Sequence, residues 1–463
     1  MSRKNKIHFE ISERKILLHI FDSVFIIIAL YVYGLLFDYY YAFENIRYYA
    51  LILLIAYVNV FGAIFEMYNL QVASNQLQIL KSVILTTTTT VLVYLFTPIL
   101  SPELPKNRLS IVIFYLIILG SLLIWRFLYV YFLASNRFSQ NVVLICDHNQ
   151  VEELVLGLEN VDPHYKIIGF VNSDSGTEKK YFFNYVKEIK KEDIENFVKV
   201  NNVAEIVIAS QNTEGITADL YQQLLHLLES GNIIREYTQV YESKTQRIPV
   251  HYISRDFYRF FPFSRSNNNK LYLLLVRFLD FAFSLVGLLF CALFIPLIFI
   301  GNLIGNKGNL FYTQERVGKN GIVFKIYKFR TMVKNSESNG ITFATSNDKR
   351  ITPFGKFMRK TRIDELPQFI NILKGDMAVI GPRPERPFFV KEIAEIMPFY
   401  ETRHVIKPGL TGWAQVNYSY GESIEESLIK LQYDLYYIKH RSIFLDLSIT
   451  FKTITTVLFY RGQ

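Results

Sequence analysis

The chain has 463 residues, a net charge of +9, a hydrophobic fraction of 51% and a mean hydropathy of +0.19. This length predicts about three structural units, and the apolar fraction is high for a soluble enzyme. The 22 glycines and 14 prolines exclude collagen and a disordered tail. The two cysteines, Cys146 and Cys291, exclude a disulfide framework and a zinc site and favour exposure to the cytosol.

The basic charge indicates an anionic partner, which could be nucleic acid, anionic lipid or a phosphorylated substrate. Long apolar segments accompany the basic residues in this chain. We therefore expect membrane lipids and phosphorylated substrates as partners, and no nucleic acid.

Residues 1–15 form a basic tail that carries Arg3, Lys4 and Lys6. No small-residue cleavage site follows the first apolar run, so we predict an anchor and not a cleaved signal peptide. Four apolar runs within 16–135 are each long enough for a helix across about 30 Å of hydrocarbon. They predict a four-helix transmembrane bundle at 16–37, 48–67, 79–100 and 109–134.

The charges of these spans predict their orientation and surroundings. Arg137 follows the fourth span and the loop 38–47 is acidic, so the positive-inside rule puts both ends of the bundle in the cytoplasm. Asp22 is costly in lipid, and we expect it to face a neighbouring helix or the interface. The sequence shows no cluster of paired charges that would mark a transport path, so we interpret the bundle as an anchor.

The composition becomes that of a soluble domain between residues 140 and 250. A buried-strand pattern at 142–145 is followed by a helical pattern at 150–158, and this alternation predicts a Rossmann-like parallel sheet. The turn Cys146–Gln150 lacks the glycines that let a backbone approach a pyrophosphate. We therefore expect no dinucleotide and favour a regulatory, dimerising or scaffolding role. The further strands are predicted at Lys166–Val171, Glu205–Ala209 and Ile233–Tyr237.

Residues 271–305 form another apolar stretch that is long enough to cross the bilayer. A crossing would move the basic segment 306–463 outside the cell, where nucleotide substrates are absent. Pro296 removes a helical hydrogen bond and is expected to bend the helix. We therefore predict a re-entrant helix, with an ordinary fifth span as the alternative. Arg277 and Asp280 share one helical face and are predicted to pair at the headgroup level.

The stretch Lys360–Gln368 contains two adjacent carboxylates, Asp364 and Glu365, among basic residues. Between 301 and 375 there are about fourteen basic side chains against five acidic ones. Nearby cations favour an ionised carboxylate, so we expect lowered pKa values, which suit a nucleophile or metal ligand better than a general acid. The alternative is that both carboxylates only cap a helix that continues through Leu373.

Basic clusters on either side of this stretch indicate a polyanionic ligand such as a nucleotide diphosphate. Lys328 and Arg330 are two residues apart, so on a strand they share one face. Prolines flank Arg383 and reduce the entropy lost when its guanidinium binds phosphate. The glycines of Pro408–Val416 allow a tight turn and close backbone approach. Solvated basic faces are the alternative for each cluster taken alone.

Taken in order, five motifs resemble those of the bacterial sugar transferases. These are monotopic polyprenyl-phosphate hexose-1-phosphate transferases that begin exopolysaccharide, capsule or O-antigen synthesis. The resemblance covers about 265–463, and the front half resembles the long form of the family. Ile295 departs from the usual Ser before the proline, and Val276 from the usual Lys before Arg277. The motifs are Gln314–Gly318, Lys328–Met332, Asp364–Gln368, Gly381–Pro384 and Pro408–Val416.

The resemblance implies that Asp364 attacks the β-phosphorus of a UDP-hexose and releases UMP. Undecaprenyl phosphate would then attack the phosphosugar on the enzyme, giving undecaprenyl-diphospho-hexose. Glu365 would hold Mg²⁺, Arg359 and Arg383 would contact the diphosphate, and Asp434 is either a supporting or a structural residue. Further substrate-binding candidates are Arg316, Lys328, Arg330, Arg403 and Gln415.

The predicted fold is a membrane protein with a four-helix transmembrane bundle, a Rossmann-like α/β middle domain and a C-terminal α+β monotopic catalytic domain. That domain is expected at 265–463, with its re-entrant helix at 271–305, on the cytoplasmic face of the bacterial inner membrane. The expected partners are UDP-hexose, undecaprenyl phosphate and membrane lipids, and we favour a homodimer through the front domains.

Two other functions remain open at this point. One is a membrane nucleotide-sugar dehydratase that uses the middle domain, and the other is a non-catalytic regulator or scaffold of polymerisation. Within the transferase interpretation the sugar is also open: glucose or galactose is favoured, and a hexosamine such as N-acetylgalactosamine is the alternative.

Overall fold

The structure is a computed structural model that divides into two compact units, Met1–Thr245 and Gln246–Gln463. The described residues are 11–37, 48–68, 73, 76–97, 100–105, 107–132, 140–160, 165–173, 186–209, 217–250, 265–306, 308–333, 348, 350–418 and 424–458. The predictions that rest on residues 1–10 of the basic tail, on the loop 38–47 and on Arg137 fall outside them.

Four apolar helices open the first unit and fit the predicted membrane bundle. The apolar parts of the first, third and fourth, with 22, 19 and 23 residues, are long enough to cross a membrane. The second has 17 residues and stands at the lower end of that range. The helices are α1 (Ile11–Leu36), α2 (Tyr48–Ile64), α3 (Gln76–Leu95) and α4 (Leu109–Phe132).

Asp22 on α1 is fully buried and accepts a hydrogen bond from the Arg126 guanidinium on α4. Close by, His19 shares a 2.6 Å hydrogen bond with Asn59 and stacks on the ring of Tyr68. The expectation that Asp22 faces a neighbouring helix is confirmed. The two partners of this buried ion pair lie 104 residues apart, so no local pattern reveals it. The interpretation of the bundle as an anchor stays a prediction.

The first unit also contains a parallel sheet with the strand order β3-β2-β1-β4-β5. The alternating strands and helices bear out the predicted α/β arrangement, and β3 is an addition to it. The strands are β1 (Gln140–Cys146), β2 (Tyr165–Asn172), β3 (Lys187–Ile189), β4 (Val203–Ile208) and β5 (Ile233–Glu236). The helices are α5 (Val151–Glu159), α6 (Ile194–Val200), α7 (Ala218–Glu229) and α8 (Tyr237–Thr245).

The strand order is that of the doubly wound nucleotide-binding folds, in which a glycine-rich loop follows β1. Here a short 3₁₀ turn, His148–Gln150, takes that position. The buried Asp147 accepts a 2.5 Å hydrogen bond from the Ser173 hydroxyl at the same edge of the sheet. Side chains therefore occupy the place where such folds bring backbone close to phosphate.

The second unit is built on a helix of 36 residues, α9 (Lys270–Gly305). An antiparallel hairpin and a series of short helices pack beside it, and two short parallel strands pair within them. These elements are β6 (Phe311–Val317), β7 (Val323–Phe329), α10 (Pro353–Lys360), α11 (Phe369–Lys374), β8 (Ala378–Ile380), α12 (Pro387–Ile396), β9 (Gly409–Thr411), α13 (Trp413–Asn417), α14 (Ile424–His440) and α15 (Ile443–Leu458).

Helix α9 continues through Pro296 and buries only one of its faces. The opposite side exposes large apolar residues, among them Leu274, Leu289 and Leu293 at 67%, 72% and 69%. The buried residues recur at intervals of three, four or seven, as one face of a helix requires. They are Asp280, Ser284, Gly287, Cys291, Ile298 and Asn302.

The predicted pairing of Arg277 with Asp280 is wrong. Arg277 instead donates to the carbonyls of Ile372 and Leu373 at 2.6 and 2.7 Å, and Asp280 accepts from the Val379 amide at 2.8 Å. The Ile372 carbonyl also accepts from the Gly375 amide at 3.1 Å, so the guanidinium adds a further donor and a positive charge at the C-terminal end of α11. Both side chains thus hold the membrane helix to the segment 372–379.

Candidate active site

The adjacent carboxylates lie on a 3₁₀ turn, Ile363–Gln368, which we call the catalytic turn. It is inserted between α10 and α11, and Arg362 enters it with a left-handed backbone at φ 59°. In a 3₁₀ helix, residues three apart lie above one another. Glu365 and Gln368 consequently share one side of the turn, and Ile363 and Leu366 share another.

The apolar side of the catalytic turn packs on α9 and β7. Ile363 and Leu366 join a hydrophobic cluster with Cys291 and Ile298 of α9 and Phe329 of β7. This burial fixes the turn to the membrane helix below it. The opposite side is therefore left to present the carboxylates.

Glu365 is surrounded by cations. Its Oε1 accepts from Lys328 Nζ at 3.1 Å and from Arg383 Nη2 at 3.2 Å, while Oε2 lies 3.8 Å from Arg362. Burial alone would raise the pKa of this carboxyl, but the positive charges of Lys328, Arg383 and Arg362 hold the pKa far below its usual value. Glu365 is thus ionised and charge-compensated, as the sequence predicts.

Asp364 behaves differently from its neighbour. Its carboxyl is buried, and Oδ1 has no hydrogen-bond partner among the described residues. Burial, with the negative charge of Glu365, raises the pKa of Asp364 to about 6, although Lys328, Arg359 and Arg362 oppose the rise. The predicted lowering of the pKa is therefore wrong for Asp364, because desolvation and a like charge outweigh the surrounding cations.

A pocket opens beside Glu365, and three of the predicted cations line it. Burial, together with the charges of Arg383 and Arg386, lowers the pKa of Arg316 despite the opposing charge of Glu385. Two buried donors in this wall, Arg316 Nε and Gln368 Nε2, lack an acceptor among the described residues. A cationic pocket with unsatisfied donors favours an anionic ligand with several oxygens. Its polar lining is Arg316, Lys328, Glu365, Gln368 and Arg383.

Asp364 and four of the predicted substrate-binding residues stand apart from this lining. Arg359 donates to Thr331 Oγ1 at 3.0 Å, near enough to Asp364 to act on its charge. Arg330 donates to the carbonyl of Asn306 at 3.0 Å, just beyond β7, so it does not share the Lys328 face. Gln415 donates to the Leu410 carbonyl at 3.1 Å, and its Oε1 finds no partner in the described part of the chain.

Arg403 is the fourth of these, and it lies behind the pocket. The side chain is 5% exposed, and its guanidinium donates to Asp434 at 2.7 Å, to the Arg383 carbonyl at 3.0 Å and to the Tyr400 hydroxyl. Arg403 therefore does not line the pocket as predicted. Its hydrogen bonds go to protein groups, and one of them holds the backbone of Arg383. Asp434 is the counter-ion of Arg403.

Comparison with known proteins agrees with these observations. The model of the family described as "Bacterial sugar transferase" matches residues 271–460. A Bacillus subtilis (strain 168) protein described as "Uncharacterized sugar transferase EpsL" is 40% identical over 157 residues, which are 33% of this chain and 72% of that protein. The chain belongs to the bacterial sugar transferase family.

Two further relatives of this family show how the likeness is distributed. The "UDP-N-acetylgalactosamine-undecaprenyl-phosphate N-acetylgalactosaminephosphotransferase" of Aeromonas hydrophila is 51% identical over 153 residues, 33% of this chain and 36% of that protein. The "Galactosyl transferase CpsE" of Streptococcus agalactiae serotype III (strain NEM316) is 29% identical over 345 residues, 71% of this chain and 69% of that protein. The chain matches about a third of the length of several relatives, and about two thirds of CpsE.

Three residues of this sugar transferase site are absent from the sequence-based candidates. Gln368 and Arg362 belong to the quoted catalytic stretch, so their spacing from Glu365 could have indicated them. Asn371 is fully buried, accepts from the Tyr327 amide at 3.1 Å and donates to the Lys325 carbonyl at 2.8 Å. It thereby fastens α11 to the strand that carries Lys328, a contact that no local pattern predicts.

Asp364 and Glu365 carry oxygen donors of the kind that Mg²⁺ prefers, and Asp364 Oδ1 is buried without a hydrogen-bond donor among the described residues. The described part of the chain contains no group of three or more His, Cys, Asp or Glu side chains that could hold a metal ion. Glu365 is already compensated by Lys328 and Arg383. A bound cation would therefore depend on further oxygens, which a diphosphate would supply.

We predict that Asp434→Asn destabilises the protein. The substitution leaves the Arg403 guanidinium buried without its counter-ion, and breaking a buried pair costs about 3–5 kcal/mol. The unfolding midpoint in detergent measures this. Glu195→Gln is the matched control, because its contacts with Lys199 and His226 lie at the surface and contribute little to stability. Equal midpoints for the two variants would contradict the support role of Asp434.

Proposed function

We propose that the chain transfers hexose-1-phosphate from a UDP-sugar to undecaprenyl phosphate, giving undecaprenyl-diphospho-hexose and UMP. The observation that carries this proposal is the cationic pocket with unsatisfied donors, which Glu365 lines. Its sequence neighbour Asp364 lies outside that lining and has a buried carboxyl oxygen without a partner among the described residues. Such a site suits phosphoryl transfer, in which catalysis consists mainly of positioning and electrostatic stabilisation. The reaction would begin the synthesis of an exopolysaccharide, a capsule or an O-antigen.

In the first step an oxygen of the Asp364 carboxylate attacks the β-phosphorus of the UDP-sugar. The bond from that phosphorus to the bridging oxygen breaks, and UMP leaves with the oxygen. Arg316, Lys328 and Arg383 neutralise the charge that the leaving phosphate gains. Arg359, on the Asp364 side of the turn, stabilises the phosphosugar that remains on the enzyme.

In the second step a phosphate oxygen of undecaprenyl phosphate attacks the same phosphorus, and Asp364 leaves as a free carboxylate. Two displacements of this kind replace one difficult transfer. Mg²⁺ bound at Glu365 would neutralise phosphate charge. The chain's own contribution is to hold Glu365 ionised between Lys328 and Arg383.

The membrane helix supports access to a lipid acceptor. A straight helix of 36 residues is about 54 Å long, yet residues along it, from Arg277 to Gly305, contact other elements of the second unit. A straight crossing would instead leave the middle of the helix surrounded by lipid. We therefore propose that α9 enters and leaves on the cytoplasmic face of the inner membrane, with its exposed apolar side in lipid.

A transfer assay tests the proposal. Membranes that contain the protein are incubated with undecaprenyl phosphate and each of several UDP-sugars, and UMP and the lipid product are measured. We expect UMP and undecaprenyl-diphospho-sugar in equal amounts with at least one donor. The panel also identifies the sugar, for which glucose, galactose and N-acetylgalactosamine are the first candidates. Absence of UMP release with every donor would refute the proposal. The homodimer stays a separate prediction.

We predict that UMP release falls at acid pH. Only the ionised Asp364 carboxylate can attack phosphorus, and the pKa of this group is raised to about 6. The rate should therefore drop about tenfold for each pH unit below 6 and be constant above about pH 7. Circular dichroism at each pH separates titration from unfolding. A rate that stays constant down to about pH 4.5 would contradict the raised pKa of a nucleophile.

A further inference from the structure

The glycines of α9 lie opposite two phenylalanine rings that flank the catalytic turn. A Cβ on Gly287 would overlap the ring of Phe369, the first residue of α11. A Cβ on Gly301 or Gly305 would overlap Phe354 near the start of α10. Glycine therefore lets each ring lie directly on the backbone of the membrane helix.

The two contacts bracket the turn along the helix. Gly287 and Gly301 are about 21 Å apart along α9, and between them Cys291 and Ile298 pack with Ile363 and Leu366 of the turn. Asp364 therefore lies in a segment whose two flanking rings, Phe354 and Phe369, both contact α9. The height of the carboxylate relative to α9 depends on how closely each ring approaches.

The Phe369 ring has little freedom to withdraw. It packs into a hydrophobic cluster that contains Ile326 of β7 and Ile372 of α11. The Arg277 bonds to the carbonyls of Ile372 and Leu373 then fix the end of α11 to the helix. A ring pushed away from α9 would therefore move either the turn or the strand that carries Lys328.

We infer that Gly287 is a positioning residue for the lipid step: by seating Phe369 it sets the height at which Asp364 meets the membrane-bound acceptor. This inference rests on the proposed function. The two half-reactions differ in their demand on that height. The UDP-sugar reaches Asp364 from water and adjusts its depth, whereas the phosphate of the lipid acceptor lies at a level set by the bilayer. A small displacement of Asp364 should consequently harm the second step more than the first.

The test measures both half-reactions in Gly287→Ala. Without the lipid acceptor, a single-turnover experiment gives the rate of UMP release and of phosphosugar formation on the enzyme. With undecaprenyl phosphate in vesicles, transfer of radiolabel gives the second step. We expect the second rate to fall about tenfold or more and the first to change by less than about twofold. Alanine favours a helix over glycine, so a weakened helix cannot account for the loss.

Three further variants keep the result decisive. Gly287→Ala with Phe369→Leu vacates space for the added methyl and should restore the second step, even where the single variant folds poorly. Phe369→Leu alone removes the ring and should reproduce the selective loss. Gly120→Ala adds a methyl to another apolar helix, where the new Cβ meets nothing within 4 Å, and should change neither rate.

Equal losses in both half-reactions, or no rescue in the folded double variant, would overturn the inference. The wild-type protein in the same assay distinguishes this from failure of the proposed function. If the wild type releases no UMP, the transferase proposal fails. If it completes both steps, the ratio of the two rates in the variants tests Gly287 alone.

Discussion

Asp364→Asn is expected to abolish UMP release from the UDP-sugar, by about 10⁴-fold or more. The amide keeps the size of the side chain but cannot donate an electron pair to phosphorus as a carboxylate does. The proposal assigns this attack to an oxygen of the Asp364 carboxylate, whose Oδ1 has no hydrogen-bond partner among the described residues. UMP release without lipid acceptor measures the loss, and mass spectrometry of the catalytic-turn peptide detects the phosphosugar.

The control for this variant is Asp219→Asn on α7, where the carboxyl is exposed. The same chemical change there should leave UMP release and the phosphosugar-bearing peptide unaltered. A fully active Asp364→Asn variant would remove Asp364 as the nucleophile. A phosphosugar found on another residue would move that role elsewhere in the chain.

Glu365→Gln is expected to lower activity by about 10²–10³-fold. The amide removes the negative charge that Lys328 and Arg383 face at 3.1 and 3.2 Å, so both cations lose their common anchor. It also removes the proposed oxygen ligand of Mg²⁺. The rate of UMP release is measured while the Mg²⁺ concentration is varied, and the variant should respond more weakly to the metal.

Glu401→Gln, an exposed residue in the same unit, is the matched control and should keep the wild-type response to Mg²⁺. Loss of activity with an unchanged metal titration would leave Glu365 as an electrostatic anchor and refute its role as a ligand. Wild-type activity in Glu365→Gln would refute both roles.

Much of the site could be predicted because it is local in sequence. Asp364, Glu365 and Gln368 lie on one turn, and the order of the motifs identifies the family. The clustering of Arg316, Lys328 and Arg383 follows from a requirement to bind an anion, although their separation in sequence gives no distances. These residues meet in one pocket because β6, β7 and the segment after β8 converge there.

The errors have a common physical cause. Composition reports charges but not burial, and burial decides the raised pKa of Asp364 and the use of Arg403 as a support. In the same way, Arg277 and Asp280 stand on one helical face, yet each finds a backbone partner on another element. Residue spacing identifies possible partners within the same helix. It does not show that backbone groups of another element form the hydrogen bond instead.

The secondary structure could be predicted from the sequence more completely than the side-chain contacts. Apolar length predicted the helices of the bundle, and alternation predicted the sheet except for β3, whose three residues are too few to form a pattern. The proposed re-entrant path of α9 does not follow from its own sequence alone. It depends on which side chains of α9 form contacts with the rest of the second unit.

The bond between Asp22 and Arg126 also bears on how the protein is made. The carboxylate enters the membrane with the first helix, whereas its guanidinium is synthesised 104 residues later with the fourth. During that interval the ribosome produces the second and third helices, and the first can already pack on the second through the hydrogen bond between His19 and Asn59. The ion pair between Asp22 and Arg126 can therefore form only after the fourth helix has been synthesised.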